Sequence, residues 1–355
     1  MSRFVSRGIG CRPTTRLALG VWRGSNKYPS IRSPPAALPV NSSSSFSHRI
    51  QFTSLFFSRH IQNTVAMDRV CEACKTIPPI VAEGYVKKGV DEKINGVNCY
   101  VAAPNPTPKS GIIFVYDIFG YFPQTLQGAD IMALTDPGHV VIMPDYFNGQ
   151  PLPIDIIPPN TEEKRTRLGS FFQNEAALPR TAETTTKVLA GVKEKFPENP
   201  VFLPSRTMRK TDDLVAFYPS LCWGGKTATL LAKDIGNGFV AAGQAHPVMI
   251  DASEYEGYPV PHLSLFSKDE DTAATQKIGE IVDALKNGSV HKTYPNDIHG
   301  WMGARGNLSN PAEAKSFEQG YTDVVEFFKK TLYVSIAYVD PFLMDLLTKF
   351  QNDRS

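Results

Sequence analysis

Short apolar runs that alternate with helix-like stretches constrain the fold of this chain more than any other feature. Residues 111–117 and 139–145 are almost continuously apolar, which is typical of strands buried on both faces of a sheet. A helix-like stretch separates the two runs, and the alternation continues towards the C-terminus. Strands that alternate with helices predict an α/β fold, with a mostly parallel central sheet and helices on both faces.

Two sets of elements follow from this pattern. The expected strands are residues 97–102, 111–117, 139–145, 214–218, 238–245, 262–266 and 290–294. The expected helices are residues 124–135, 161–196 (with an interruption near Pro179), 227–232, 273–286 and 311–332.

The segment 201–220 departs from the surrounding pattern, and we interpret it as an atypical insertion. It has no clear periodicity, and it contains Pro219, which cannot donate a hydrogen bond to a sheet ladder. The alternative is an unspliced or mis-spliced segment of the gene, and in either case we expect a loosened turn at Cys222.

The first 66 residues differ in composition from the rest of the chain. No Asp or Glu occurs before Asp68, whereas nine Lys or Arg residues do, and Ser is frequent. This composition is typical of a mitochondrial transit peptide; the alternative is an extension or disordered tail ahead of a start at Met67. In either case we expect a leader that does not pack. The predicted localisation is mitochondrial or cytoplasmic, depending on which alternative holds.

Charge and hydropathy exclude several classes of partner. The net charge is +2 and, without the basic leader, the remainder is acidic, so the chain has no electrostatic footprint for nucleic acid. The sequence has no stretch of about 18 apolar residues, so it predicts no membrane-spanning helix.

The five cysteines are too few and too scattered for a disulfide scaffold. Cys71 and Cys74 form a lone C-x-x-C. A structural metal site would need further ligands nearby, and a redox protein would need a thioredoxin-like context; the sequence shows neither.

The motif with the clearest chemical meaning is residues 220–226, which read S-L-C-W-G-G-K. It resembles the nucleophile elbow G-x-S-x-G, a sharp strand-to-helix turn, with Cys222 at the nucleophile position and Ser220 in place of the leading Gly. A cysteine at a helix N-terminus is favoured as thiolate, and the next amide, that of Trp223, is suited to an oxyanion. The alternative is a buried structural cysteine in a Gly-rich turn.

An acid and a base follow in the order that such a site requires, which is nucleophile, acid, base. Asp269 comes just after the expected strand 262–266, and His299 comes just after the strand 290–294. In a parallel sheet both would lie at the same edge as Cys222. Asp271, two residues further on, is the alternative acid.

Four segments resemble the dienelactone hydrolase family in its fungal form. They read Y-D-I-F-G at 116–120, M-P-D-Y-F at 143–147, L-C-W-G-G-K at 221–226 and H-G-W-M-G-A-R at 299–305. The resemblance covers roughly residues 80–332. It implies an α/β-hydrolase fold, a triad of Cys222, His299 and Asp269, and no metal or organic cofactor.

The resemblance also implies roles for four other groups. The backbone amides of Ile118 and Trp223 would form an oxyanion hole. Asp117 would face the nucleophile and hold it inactive until substrate binds, and Arg305 would bind a substrate carboxylate. The alternatives are a turn residue at Asp117 and a surface charge at Arg305.

These observations predict a hydrolase domain at residues 67–332, followed by a C-terminal extension at 333–355. The expected activity is cleavage of a lactone or carboxylic ester of small-molecule size through an acyl-thioester. The alternative is a non-catalytic α/β-hydrolase-like protein whose nucleophile elbow is disrupted by the segment before Cys222. The sequence does not predict the oligomeric state.

Overall fold

The structure is a computed structural model that describes residues 75–80, 84–102, 108, 110–135, 139–196, 215–234 and 238–339. All of these residues belong to the unit Phe52–Ser355. The leader, Cys71 and Cys74, the segment 201–214 and residues 340–355 lie outside the described residues, so the expectations for them stay predictions. Within the described ranges, no helix combines the length and the apolar character needed to cross a membrane.

An eight-stranded sheet forms the centre of the described fold. Its strands are β1 (Val90–Ile94), β2 (Val97–Ala102), β3 (Ser110–Ile113), β4 (His139–Pro144), β5 (Val215–Leu221), β6 (Phe239–Ala245), β7 (His262–Phe266) and β8 (Val290–Thr293). Their spatial order is β1-β2-β4-β3-β5-β6-β7-β8. The pairs β1–β2 and β2–β4 are antiparallel and the others are parallel. The predicted α/β fold with a mostly parallel sheet is confirmed.

Two helical layers cover the sheet. The helices are α1 (Pro123–Thr135), α2 (Glu162–Gln173), α3 (Leu178–Lys195), α4 (Trp223–Lys233), α5 (Thr272–Leu285) and α6 (Pro311–Val339). Helix α1 packs with α6, and α3 packs with α4. The predicted helix 161–196 is two helices, and Pro179 lies in the first turn of the second one, where proline is tolerated. Helix α6 continues beyond residue 332 into the predicted C-terminal extension.

Strand β3 is shorter than its apolar run predicts. It ends at Ile113, although Phe114, Val115 and Tyr116 are as fully buried as the strand itself. These residues lead into the turn at Asp117 on the inside of the molecule. An apolar run indicates that residues are buried, not that they have strand geometry. The sequence pattern therefore could not predict where β3 ends.

The strand before Cys222 is continuous but irregular. Strand β5 includes Pro219 and pairs with both β3 and β6. The register of β5 against β6 shifts between Ala216 and Pro219, and such an irregularity accommodates a residue that cannot donate to the ladder. Regular pairing with β6 resumes at Pro219 and continues to Leu221. On the other side, the N–H of Leu221 donates to the carbonyl of Val115 at 2.9 Å. Residues 215–221 thus form a central strand where the sequence predicts one at 214–218, and the atypical insertion at 201–220 stays a prediction.

The carboxyl ends of β3, β5, β6, β7 and β8 lie at one edge of the sheet because these strands are parallel. Strand β4 lies on one side of β3 and strand β5 on the other, so the chain changes direction across the sheet at this point. Such a switch point is where α/β folds form their ligand sites.

We predict that Gly128→Ala destabilises the fold by about 1–3 kcal/mol through overpacking. A Cβ at Gly128 in α1 would lie 2.0 Å from the ring of Tyr321 in α6. That ring is fully buried, and its hydroxyl donates to the carbonyl of Met302 at 2.7 Å, so it cannot easily move away. The free energy of unfolding in urea measures the effect.

The matched control is Gly169→Ala in α2, where a Cβ meets no atom within 4 Å. This change should leave the free energy of unfolding unchanged or raise it by up to about 1 kcal/mol, because Ala has a higher helix propensity than Gly. Equal effects of the two substitutions would contradict the tight crossing of α1 and α6.

Candidate active site

The turn between β5 and α4 has the geometry of a nucleophile elbow. Cys222 is fully buried and has φ 53° and ψ −116°, in a region that residues other than glycine rarely adopt. Its N–H donates to the carbonyl of Ala245 at 3.1 Å, and its carbonyl accepts from Gly225 at 3.1 Å. Such strain persists only where the surroundings fix the backbone, and it is concentrated at functional sites.

The small residues of the elbow are required by close backbone contacts. A Cβ at Gly224 would lie 2.5 Å from the carbonyl oxygen of Val115 and 2.7 Å from that of Tyr116. Ser220, in the position where the motif usually has glycine, is fully buried in β5. Helix α4 thus begins directly against the chain that follows β3.

Trp223 is held rigidly at the first position of α4. Its side chain is fully buried, and its indole N–H donates to the carbonyl of Ala176 at 2.9 Å. The rings of Tyr146 and Phe147 pack against it, with centroids at 6.3 and 5.1 Å. The backbone amide of Trp223 is among the first N–H groups of the helix, which have no intrahelical acceptor.

The carboxylate on the ring of His299 comes from Glu270, which corrects the sequence prediction. The Nδ1 of His299 lies 2.8 Å from Oε1 of Glu270, and both side chains are fully buried. Asp269 instead accepts the backbone N–H of His299 at 2.8 Å. Asp271 caps α5 by accepting from Ala274 at 2.7 Å.

A turn after β7 selects Glu270 among the three consecutive acids. The backbone N–H and the hydroxyl of Ser267 both donate to the Glu270 carboxylate, the hydroxyl at 3.0 Å. Because Ser267 donates two hydrogen bonds to this carboxylate, its oxygens act as acceptors. The Nδ1 of His299 is then the donor to Oε1, and Nε2 is left as the proton-accepting nitrogen. The sequence offers one signal for this arrangement, the spacing Ser267-x-x-Glu270.

His246 is a second buried imidazole at this edge of the sheet, and the sequence analysis did not identify it. It follows β6, has φ 39° and is fully buried. Its ring meets that of His299 edge to face, with centroids 5.1 Å apart. It also follows Ala245, which accepts the N–H of Cys222, so residues 245 and 246 connect the two predicted triad members. The signal for it was its position just after a parallel strand, the same signal that identified His299.

Asp117 and Ile118 are buried and lie after β3, in the chain that the sequence analysis assigned to the end of the strand at 111–117. The Asp117 carboxylate accepts backbone N–H groups from Phe119 at 2.9 Å and from Ala304 at 3.1 Å. It therefore joins this turn to the loop that follows His299. The gating of the nucleophile by Asp117 stays a prediction.

Arg305 is fully buried, so it is not a surface charge. Its Nε donates to the carbonyl of Ile77 at 2.5 Å, and its guanidinium lies over the ring of Phe119, 5.2 Å from the centroid. The neighbouring Ala304 accepts the N–H of Ile80 at 2.8 Å. These contacts attach residues 77–80 to the loop after His299, and a role of Arg305 in binding a substrate carboxylate stays a prediction.

A further buried histidine of the sheet, His262, is not part of this site. It lies in β7 between the rings of Tyr255 and Tyr258, with centroids at 5.2 and 4.9 Å. Burial lowers the pKa of His262 to about 3, so it stays neutral near neutral pH.

The chain is similar to several known proteins. The sequence profile of the dienelactone hydrolase family matches residues 97–332. An uncharacterized AIM2 family protein of Schizosaccharomyces pombe is 30% identical over 256 residues, which cover 70% of this chain and 94% of that protein. The hydrolase pyvD of Aspergillus violaceofuscus is 24% identical over 249 residues, which cover 67% of this chain and 90% of pyvD.

A dienelactone hydrolase of known structure, from Anabaena variabilis, is 12% identical with a TM-score of 0.46, and the match covers 69% of this chain and 98% of that one. The family profile extends from β2 to α6 and so includes the whole parallel part of the sheet and its connecting elements. The chain therefore belongs to the dienelactone hydrolase family of α/β-hydrolases.

Proposed function

We propose that this protein hydrolyses a carboxylic ester or lactone of small-molecule size through a thioester on Cys222. The observation that carries the proposal is the buried hydrogen bond of 2.8 Å between Glu270 and the Nδ1 of His299, at the same edge of the sheet as the strained elbow. A nucleophile, a base and a group that orients the base are the parts of a catalytic triad.

In the proposed first step, Nε2 of His299 takes the thiol proton of Cys222 while the sulfur attacks the carbonyl carbon of the substrate. The backbone amides of Trp223 and Ile118 stabilise the oxyanion that forms. The carbon–oxygen bond of the ester then breaks, and His299 returns the proton to the leaving oxygen. An acyl-thioester remains on Cys222, and in a lactone the leaving oxygen stays on the acyl group.

In the second step, His299 takes a proton from water, and the resulting hydroxide equivalent attacks the thioester carbonyl. The carbon–sulfur bond breaks, the carboxylic acid is released, and Cys222 regains its proton from His299. Throughout, Glu270 stabilises the imidazolium form of His299 and keeps Nε2 as the basic nitrogen. The proposed chemistry requires neither a metal nor an organic cofactor.

Substrate entry requires movement of the protein. Cys222, Trp223 and His299 have no exposed surface in this structure, so a substrate contacts the sulfur only after neighbouring groups move. An enclosed site excludes water and strengthens the electrostatic interactions within it.

We predict that the full chain hydrolyses at least one member of a panel of a dienelactone, p-nitrophenyl acetate and a small thioester. Cys222→Ala and His299→Ala should each lower kcat by about a thousandfold or more, because each removes a group of the triad. Cys99→Ala and His291→Ala are the matched controls, since Cys99 is buried in β2 and His291 lies in β8 beside Asp283. Turnover that survives in Cys222→Ala would contradict the proposed nucleophile.

We predict that the three neighbouring acids differ sharply in their effect on turnover. Glu270→Gln should lower kcat by up to about 10⁴-fold, because it removes the charge that stabilises the His299 imidazolium. Asp269→Asn should cost about tenfold at most, because its partner is a backbone amide. Asp271→Asn should leave kcat unchanged, because Asn also caps a helix. A larger loss in Asp269→Asn than in Glu270→Gln would restore Asp269 as the triad acid.

We predict that a small alkylating agent modifies Cys222 at least about tenfold faster than Cys99. Burial raises the pKa of the Cys99 thiol to about 12, so almost none of it is thiolate at pH 8. Cys222 is equally buried, but it lies at the N-terminus of α4 and, in the proposed triad, His299 accepts its proton. Peptide mass spectrometry separates the two rates. Equal rates, together with absent turnover, would favour the non-catalytic alternative.

A further inference from the structure

The segment that carries His246 is fixed at both ends. The N–H of His246 donates to the carbonyl of Leu265 in β7 at 2.7 Å. Three residues later, the carbonyl of Met249 accepts from Nζ of Lys226 in α4 at 3.0 Å. Lys226 also forms an ion pair with Glu254, in which both side chains are mostly buried. The segment is therefore attached both to the strand that precedes Glu270 and to the helix that follows Cys222.

The backbone of this segment is strained. His246 has φ 39° and Met249 has φ 53°, and both residues carry a Cβ that disfavours the left-handed region. Residues hold such conformations only where the surroundings impose them, and these positions are often functional. At His246 the consequence is that the imidazole points to the ring of His299.

The contact between the two rings complements the hydrogen bond to Glu270. That hydrogen bond fixes one edge of the His299 ring, but a ring held at one edge can still tilt about the bond. An edge-to-face contact, with centroids 5.1 Å apart and planes at 73°, restricts the tilt. Edge-to-face contacts are a preferred geometry for aromatic pairs.

We propose that His246 is a positioning residue that fixes the plane of the His299 imidazole, so that Nε2 keeps its direction towards the reacting atoms. This inference rests on the proposed function, in which His299 is the base. His246 does not itself transfer a proton. A displacement of a catalytic group by about 1 Å can cost about a hundredfold in rate, which makes a positioning contact measurable.

The test compares His246→Ala with His246→Phe in the full chain. Both replacements keep a Cβ at the strained position, so the cost of the backbone strain is the same in the two variants and only the aromatic ring differs. His246→Ala should lower kcat for p-nitrophenyl acetate about 10- to 100-fold and leave KM within about twofold. His246→Phe should recover kcat to within a few-fold of the parent, and His291→Ala should equal the parent.

A spectroscopic measurement separates positioning from general stability. The Nδ1 proton of His299, shared with Glu270, should give a far-downfield proton resonance in the absence of substrate, and Glu270→Gln should abolish it. The resonance should be broadened or lost in His246→Ala and present in His246→Phe. If His246→Ala does not fold, His246→Asn replaces it, because Asn tolerates left-handed backbone and has no ring.

Parent-like kcat and resonance in folded His246→Ala would overturn the proposal. An equal loss of kcat in the Phe and Ala variants would also overturn it, because it would mean that the nitrogen atoms of His246 are needed. A parent protein that shows the resonance but hydrolyses no ester would refute the proposed function, and the resonance would still test His246.

Discussion

The site depends on one steric constraint, the close approach of α4 to the chain that follows β3. Gly224 leaves no room for a side chain beside the carbonyl oxygens of Val115 and Tyr116. The approach brings the turn with Ile118 next to the turn with Cys222, although the two come from different strands. The proposed nucleophile from one strand and the proposed oxyanion donor from its neighbour can therefore meet. The left-handed backbone of Cys222 then follows from the sharp reversal between β5 and α4.

The sequence predicted those parts of the structure that depend on periodicity and order along the chain. Alternating apolar runs predicted a mostly parallel sheet, and the order of Cys222 and His299 after their strands placed both at one edge. The elbow motif predicted a strand-to-helix turn at Cys222, and the structure has that turn. These features are local or follow from topology, so a single sequence contains enough information for them.

The remaining features depend on side-chain direction or on contacts between distant segments. Glu270 was missed because three acids follow β7 in succession, and only the bonds from Ser267 select which one turns inwards. The buried Arg305 donates to the carbonyl of Ile77, a residue far away in the sequence. Pro219 appeared to break β5, but a local register shift accommodates it. None of these contacts has a periodic pattern that could reveal it.

The central claim is a covalent acyl-thioester on Cys222, and the most direct test is to trap it. The full chain is mixed with p-nitrophenyl acetate, quenched in acid during turnover, digested and analysed by peptide mass spectrometry. The account predicts an acetyl group on the peptide that contains Cys222, formed before the steady state and absent from Cys222→Ala. Turnover without this adduct, or an acetyl group on another residue that persists in Cys222→Ala, would contradict the account.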